Sequence, residues 1–458
     1  SQSNKTEVCA FNTISLATIA LSCPVTRRIH FISYPIYHII RIMTSCYGYS
    51  FVTKKDESEK KLELLRTDDG GTEDPMVSFD IIKGSLSANN KFYLEFGEKV
   101  PFNFFKCYPV DENATVVETN SKVGDDESAA YYVHPTVWGI AQVKTSKLEN
   151  VKAGDQYIAM LPIGESVSFD KAHVDEEGTL IVDRPETNPG YNAFTKIRQE
   201  EPDVALASPK YSDLALACFP GIVTGFHLSF RLTRNDFYGA DTVVLTAASS
   251  KVSLALAVFL REFPTTTEKK VRLVGYTSSS NKDFCEKTGL YDAILGYDDL
   301  LSGQDSKCVM VDVSGRAQSY QQNKKSIVKN FVIGNASGTD EKKATFSSFT
   351  TYETMKLVLL MMGAPTFILN WMNPIQELYL IPPDLVAFKK EWGLEKYNKT
   401  YWSYGLAFCK VAEKWISVRK CDTESSIEQS FVDIVAGSVP PSEAIILDAV
   451  KAVKSRQK

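Results

Sequence analysis

Residues 239–263 read GADTVVLTAASSKVSLALAVFLREF, and this stretch decides the fold. The run from Thr242 to Thr246 is apolar and β-branched, which is typical of a buried strand. A turn of small residues follows, and then Leu254, Val258 and Leu260 recur at helical spacing. The stretch therefore predicts a buried strand, a tight turn and a helix.

In a doubly wound sheet, the first such turn holds the pyrophosphate of a dinucleotide, because the helix start offers unpaired N–H groups. The usual fingerprint has three glycines, and Ala247, Ser250 and Ser253 stand in their places here. Ser250 must therefore either lean away and donate its hydroxyl or narrow the site. Lys251 opposes the helix dipole by about 0.3–1 kcal/mol, a cost that makes sense if its ammonium faces a phosphate. The alternative is a solvated lysine on a well-packed unit.

Length and composition indicate a globular protein of two or three domains, since the chain has 458 residues, 44% of them hydrophobic. The net charge of −5 gives no basic excess for binding nucleic acid. The nine cysteines include no C-x-x-C pair, so they are interpreted as separate reduced thiols.

Residues 8–55 contain no Asp or Glu, while Arg27, Arg28 and Arg41 supply positive charge. One interpretation of residues 1–46 is a targeting segment, so the predicted location is the cytoplasm or, with such a segment, an organelle. The alternative is an upstream extension without a fold of its own. Asn12 and several hydroxyl residues interrupt the uncharged part, so no transmembrane segment is predicted.

The rest of the chain predicts an α/β protein with a β-rich domain and a Rossmann-type doubly wound parallel sheet. Strand patterns dominate residues 47–215, the proposed substrate domain, whereas strands alternate with helices across 216–394, the proposed nucleotide-binding domain. Residues 395–458 are expected to return to the substrate domain. Within the second domain, the apolar, Met-rich residues 345–375 are interpreted as a packing insertion.

These features resemble the medium-chain dehydrogenase/reductase superfamily, and more narrowly its uncharacterised DUF2855 branch. The resemblance rests on SANNKFY at 87–93, VWGIA at 137–141, NDFYGA at 235–240, ASSK at 248–251 and GLYD at 289–292. It implies a GroES-like domain packed against a Rossmann domain, a small-molecule substrate bound in the cleft between them, and a homodimer.

Zinc-dependent members of the superfamily use Cys and His ligands, but the five histidines and nine cysteines here show no metal-ligand spacing. The resemblance therefore favours the zinc-free quinone and enoyl reductases, which place Asn and Tyr side chains near the nicotinamide. In this chain those residues would be Asn89, Asn90 and Tyr93, with Thr224 as a further nicotinamide-side contact. The alternatives are a turn for the two asparagines, core packing for Tyr93 and a helix cap for Thr224.

The end of the second strand of the Rossmann sheet indicates which nucleotide is used. An NAD enzyme has Asp or Glu there, whereas residues 275–282 read GYTSSSNK, whose hydroxyls and lysine suit a 2′-phosphate. The predicted cofactor is therefore NADPH. The residues expected to contact it, besides Thr224, are Thr246, Ala248, Ser249, Ser250, Lys251, Val252, Thr277, Ser278, Lys282, Ser314, Gly315, Gly334 and Ala336.

The leading functional hypothesis is a zinc-independent reductase that transfers hydride from NADPH to an α,β-unsaturated carbonyl, a quinone or a similar small molecule. A competing hypothesis is a reductase-like protein without catalysis that acts as a binding or structural subunit, which the missing glycines and the apolar insertion favour. A third is a redox-inactive lyase that uses the same cleft.

Overall fold

The computed structural model describes residues 44–55, 61–67, 74–99, 102–125, 132–201, 203–263, 269–301, 307–333, 375–379 and 381–456. All of them belong to one compact unit, Ile42–Lys458. The predicted targeting segment, up to residue 43, and residues 345–374 of the predicted insertion lie outside the described residues.

The first half of the chain forms a large sheet in which the strands pair antiparallel. Its central part runs in the order β8-β7-β3-β9-β1-β2. The strands of this half are β1 (Thr44–Lys54), β2 (Glu63–Thr67), β3 (Val77–Leu86), β4 (Thr115–Val116), β5 (Ser121–Lys122), β6 (Tyr132–Val133), β7 (Thr136–Ser146), β8 (Gln156–Pro162), β9 (Gly164–Phe169), β10 (Ala172–Val174), β11 (Leu180–Val182) and β12 (Ala193–Ile197).

The second sheet is parallel, with β13 (Thr242–Leu245), β14 (Arg272–Thr277), β15 (Ala293–Gly296), β16 (Cys308–Asp312), β17 (Ile327–Val332) and β18 (Gln376–Leu378). Its order is β15-β14-β13-β16-β17-β18. Numbered within the sheet this is 3-2-1-4-5-6, the order of dinucleotide-binding folds, with the switch point between β13 and β16. The predicted fold, a Rossmann-type sheet beside a β-rich region, is confirmed.

The run from Thr242 to Leu245 is buried throughout because both faces of β13 are covered. Val243 and Leu245 belong to a core cluster shared with the helices on one face, and Val244 belongs to a separate cluster on the other face. This is the pattern expected of a central parallel strand. The helices are α1 (Asn89–Glu95), α2 (Ser212–Arg234), α3 (Lys251–Glu262), α4 (Lys282–Thr288), α5 (Ala317–Asn323), α6 (Ile381–Trp392), α7 (Leu394–Ala412), α8 (Glu424–Ala436) and α9 (Ala449–Arg456).

Helix α2 packs along α3 with unusually close backbones, because two of its glycines face α3. A Cβ at Gly225 would lie 2.8 Å from the backbone N of Leu256, and one at Gly221 would lie 2.7 Å from the carbonyl carbon of Lys251. Within the described residues, α2 is also the one helix long and apolar enough to cross a membrane, but 78% of that stretch is buried inside the protein. This burial is what a core helix shows.

The chain ends by returning to the first sheet. Strands β19 (Ser417–Cys421) and β20 (Glu443–Leu447) run parallel to each other, and β20 pairs antiparallel with β3. The sequence analysis did not predict these two strands. Strand β18 ends at Leu378, and α6 begins at Ile381. Its Pro-Pro pair falls in the first helical turn, where proline is tolerated.

Candidate functional site

In the turn after β13, Ala247, Ser250 and Ser253 stand at the positions of the fingerprint glycines, and the two serines form hydrogen bonds within the turn. Ala247 adopts φ +45°, a left-handed conformation that normally favours glycine. Ser250 is the N-cap of α3, and its hydroxyl accepts the N–H of Ser253 at 3.2 Å. The Ser253 hydroxyl in turn donates to the carbonyl of Thr246 at 2.8 Å. The two serines therefore stabilise the turn and the start of the helix together.

Close packing around this turn comes from glycines on neighbouring elements. A Cβ at Gly275, in β14, would lie 2.7 Å from the Cβ of Ala248. Gly221 plays the same part on the α2 side, against Lys251. The close approach that a fingerprint glycine normally allows is therefore provided by Gly275 in β14 and Gly221 in α2.

Lys251 does not point into solvent, so the solvated alternative is wrong. Its ammonium donates to the backbone carbonyls of Pro441 at 3.0 Å and Glu443 at 2.9 Å, next to and at the start of β20. Burial lowers the pKa of this ammonium. A contact between Lys251 and a phosphate remains a prediction, and two of the three ammonium donors are already used by these bonds.

The carboxyl ends of β13 and β16 are joined by a buried network centred on Asp312. Its Oδ1 accepts from the hydroxyl of Thr246 at 2.6 Å, the hydroxyl of Ser314 at 2.9 Å and the N–H groups of Ser314 and Gly315, each at 3.1 Å. Burial raises the pKa of Asp312, and these hydrogen bonds act against that rise. Thr246, Ser314 and Gly315 therefore lie together at the switch point, where they were predicted to contact the cofactor.

The predicted 2′-phosphate segment follows β14. Thr277 is buried at the end of β14. The hydroxyls of Ser278 and Ser280 lie 2.9 Å apart in the exposed loop, and Lys282 is exposed at the first position of α4.

The first turn and this loop are connected, because the Asn281 side-chain amide donates to the Ser249 hydroxyl at 3.2 Å. Ala248 is buried between the two and Val252 is partly buried in the first turn of α3. Gly334 and Ala336 lie outside the described residues.

The second candidate site lies on α1, directly after β3. Asn90 is buried, and both ends of its side chain are used: Oδ1 accepts the N–H of Ser87 at 2.8 Å and Nδ2 donates to the carbonyl of Thr136 at 2.7 Å. Asn89 is exposed. The bonds of Asn90 are those of a residue that holds α1 against β7, and its predicted catalytic contact remains a prediction.

Tyr93 is buried among aromatic rings, with 6% of its surface exposed. Its hydroxyl oxygen accepts the indole N–H of Trp138 at 3.1 Å. Burial raises the pKa of Tyr93 to about 12, although hydrogen bonds from Trp138 and Asn89 oppose the rise. At neutral pH the hydroxyl is therefore protonated, and because an indole N–H can only donate, the Tyr93 proton is not used in the bond with Trp138.

Trp138 is a site residue that the sequence analysis missed. Its ring lies 5.0 Å from that of Phe219 in α2, so it contacts both the Tyr93 site and the helix that packs on the parallel sheet. The motif VWGIA contributed to the resemblance, but nothing in the sequence indicated a bond between residues 45 positions apart.

Thr224 lies inside α2, so the helix-cap alternative is wrong. Its hydroxyl donates to the carbonyl of Pro220 at 2.7 Å. A nicotinamide contact remains a prediction.

Among the described residues, no group of three or more His, Cys, Asp or Glu side chains is placed to hold a metal ion. Two of the described histidines are buried and have both ring nitrogens bonded to protein. His134 Nδ1 donates to the carbonyl of Tyr108 at 3.0 Å, and His227 Nδ1 donates to that of Val223 at 2.8 Å. Their Nε2 atoms then accept from Ser50 and Tyr397, at 3.0 and 3.1 Å.

The strand order and the turn at its switch point define a two-part α/β protein with a Rossmann-type sheet. The family model described as "Protein of unknown function (DUF2855)" matches residues 85–440, and the chain belongs to this family. No curated protein sequence matches the chain.

Several solved structures are similar at low identity. YhdH of E. coli K-12 with bound NADPH aligns at 10% identity over 87% of this chain and 99% of its own, with a TM-score of 0.44. CurA of Vibrio vulnificus in complex with NADPH aligns at 11% identity over 88% and 99%, with a TM-score of 0.45. The yhfP protein of Bacillus subtilis with NAD bound aligns at 14% identity over 88% and 100%, with a TM-score of 0.47.

Proposed function

We propose that this protein is a zinc-independent, NADPH-dependent oxidoreductase whose acceptor is an α,β-unsaturated carbonyl, a quinone or a similar small molecule. The observation that carries the proposal is the position of the turn after β13, at the switch point of a sheet in 3-2-1-4-5-6 order. Ligands of open α/β sheets bind at this point, outside the carboxyl ends of the strands.

The residues present fit a dinucleotide phosphate. The N–H groups of Lys251 and Val252 are in the first turn of α3, where no intrahelical acceptor exists, and Ser250 already caps Ser253. Thr246, Ala248 and Ser249 complete the turn, while Ser314 and Gly315, together with Gly334 and Ala336, are proposed to line the strand ends. NADPH, when bound, would supply the hydride.

The loop after β14 supports NADPH over NADH. Residues 275–282 contain no carboxylate, which would otherwise bind the ribose hydroxyls and repel a 2′-phosphate. Ser278 and Lys282 are at the surface and are proposed to bind the 2′-phosphate. Thr277 is proposed to support the loop that carries them.

The Tyr93 site supports the acceptor chemistry. Because the Tyr93 oxygen accepts from Trp138, its proton can be donated to a carbonyl oxygen on which negative charge develops. Asn90 keeps α1 fixed on β7, and Asn89 is exposed beside Tyr93 as a second group for orienting the acceptor. Thr224 is proposed to contact the nicotinamide side of the cofactor. The proposal also includes the homodimer that the family resemblance implies.

We expect Lys282→Gln to weaken NADPH binding about tenfold or more, because an ammonium–phosphate hydrogen bond contributes about 1.5–3 kcal/mol. The affinity for NADH, which lacks the 2′-phosphate, should be the same in the variant as in wild type. Fluorescence titration of both nucleotides measures this. Lys287→Gln, at an exposed lysine near the other end of α4, is the matched control and should change neither affinity. Equal NADPH affinity in wild type and Lys282→Gln would contradict the 2′-phosphate contact.

We expect Tyr93→Phe to reduce kcat/KM about 100-fold in NADPH-dependent reduction of a panel of quinones and enones, since general acid catalysis contributes about 10²–10⁴-fold. Phenylalanine retains the ring packing but removes the acceptor of the Trp138 indole N–H, so the melting temperature should fall slightly while NADPH affinity should change little. Steady-state kinetics with any reducible member of the panel tests this, and full activity of Tyr93→Phe would remove its catalytic role.

The competing function, a reductase-like binding subunit without catalysis, is favoured by two observations at the turn. The Lys251 ammonium is bonded to carbonyls, and the N–H of Ala247 donates to the Tyr297 hydroxyl at 3.1 Å. Failure of the wild-type protein to bind NADPH at millimolar concentration would decide for this function.

A further inference from the structure

A second cation lies at the switch point. Arg316 follows the Asp312 network, and its backbone N–H donates to the Ser314 hydroxyl at 3.1 Å. Its guanidinium lies over the ring of Tyr297, 4.3 Å from the centroid. The hydroxyl of Tyr297 accepts the N–H of Ala247 at 3.1 Å. Through Tyr297, Arg316 is therefore placed beside the turn after β13.

The charge of Arg316 is not neutralised by a carboxylate within the described part of the chain. Some other described arginines do have such partners, as Arg231 has in Asp384 at 2.8 Å and Arg261 has in Asp292 at 2.7 Å. The nearby carboxylate, Asp312, has its Oδ1 bonded to hydroxyls and N–H groups. The sequence had indicated Lys251 as the cation of this turn, but its ammonium is bonded to two carbonyls.

We propose that Arg316, stacked on Tyr297, is the cation of a phosphate-binding subsite at the switch point. The proposal rests on the proposed function and deepens it by naming the residue that meets a phosphate ester of the dinucleotide. A guanidinium presents its N–H groups in a planar fork that matches two phosphate oxygens. The cation–π contact with Tyr297 holds the guanidinium beside the turn without pairing it with a carboxylate, so its N–H groups are proposed to meet the ligand.

Two phosphate groups have this chemistry, the diphosphate and the 2′-phosphate, and three probes distinguish them. NADPH carries both groups, NADH carries only the diphosphate, and 2′-AMP carries only the 2′-phosphate. Isothermal titration of each probe against wild type and Arg316→Gln should show at least tenfold weaker binding of NADPH to the variant. An equal loss for NADH assigns Arg316 to the diphosphate, and an equal loss for 2′-AMP assigns it to the 2′-phosphate.

Two further variants keep the result interpretable. Arg316→Lys retains the charge without the fork and should bind with intermediate affinity, so it tests the proposal if Arg316→Gln folds poorly. Arg272→Gln removes an exposed arginine at the first position of β14, the opposite end of the strand, and should bind all probes as wild type does.

Binding of the probes to wild type and to the Arg316 variants tests the Arg316 subsite separately from the cofactor assignment. If wild type binds NADPH and both Arg316 variants bind it equally well, the Arg316 subsite is overturned and the cofactor assignment stands. If wild type binds none of the three probes, both are overturned.

Discussion

Gly225→Ala is expected to lower the free energy of unfolding by about 3 kcal/mol, as overpacking of a tight contact typically costs 1–3 kcal/mol and occasionally more. The added Cβ would lie 2.8 Å from the backbone N of Leu256 and 3.0 Å from the Cβ of Ala255. Neither neighbour can rotate away, because one is main chain and the other is a side chain with no χ angle. Helices α2 and α3 must therefore move apart. This movement disrupts the packing behind the turn after β13.

Gly405→Ala in α7 is the matched control, since a Cβ there would meet only Cγ2 of Ile222, at an ordinary 3.6 Å. Alanine is the better helix former by about 1 kcal/mol, so this variant should be as stable as wild type or slightly more stable. Urea unfolding of the three proteins gives the comparison. Equal midpoints for Gly225→Ala and Gly405→Ala would mean that the α2–α3 contact relaxes without cost.

The second large effect is loss of stability in acid, caused by His134 and His227. Both rings are buried, and burial lowers the pKa of each from 6.5 to about 4. The unfolded chain therefore binds two more protons than the folded one between these values. Stability is fully present above pH 6.5 and falls as the pH is lowered towards 4. A difference of about 2.5 pH units corresponds to about 3 kcal/mol for each ring.

Urea unfolding at a series of pH values between 7 and 4 measures the free energy of unfolding and tests this prediction. Asp312 and Asp384, whose pKa values are raised by burial, act in the opposite sense, so the histidine contribution is read as a difference between proteins. Replacing both His134 and His227 by Gln should flatten the profile. His173→Gln, at an exposed position of β10, should leave the profile unchanged. A double variant as acid-sensitive as wild type would show that these rings are not responsible.

The sequence predicted the elements whose signals are local. The β-branched run and the helical spacing of 242–260 sufficed to predict β13 and α3. Strands β19 and β20 have only five residues each, and β20 takes its place through pairing with β3, some 360 positions earlier in the chain. No local pattern carries that information.

The candidate site divides in the same way. The 2′-phosphate contact at the loop ending at Lys282 remains a prediction, and it could be made from the sequence because the hydroxyls and the lysine lie in a single segment. The partners of Lys251 are backbone carbonyls 190 positions away, which have no sequence signature. The bond between Tyr93 and Trp138, and the stacking of Arg316 on Tyr297, likewise depend on how distant strands meet.

The insertion of β20 beside β3 has a consequence for biosynthesis. The parallel sheet has all six of its described strands once residue 378 has been made, whereas the antiparallel sheet lacks β20 until residue 447 has left the ribosome. In a nascent chain, the parallel sheet can thus form before β20 is available to complete the antiparallel sheet. The Lys251 ammonium gains its carbonyl acceptors, in Pro441 and Glu443, at that same late stage.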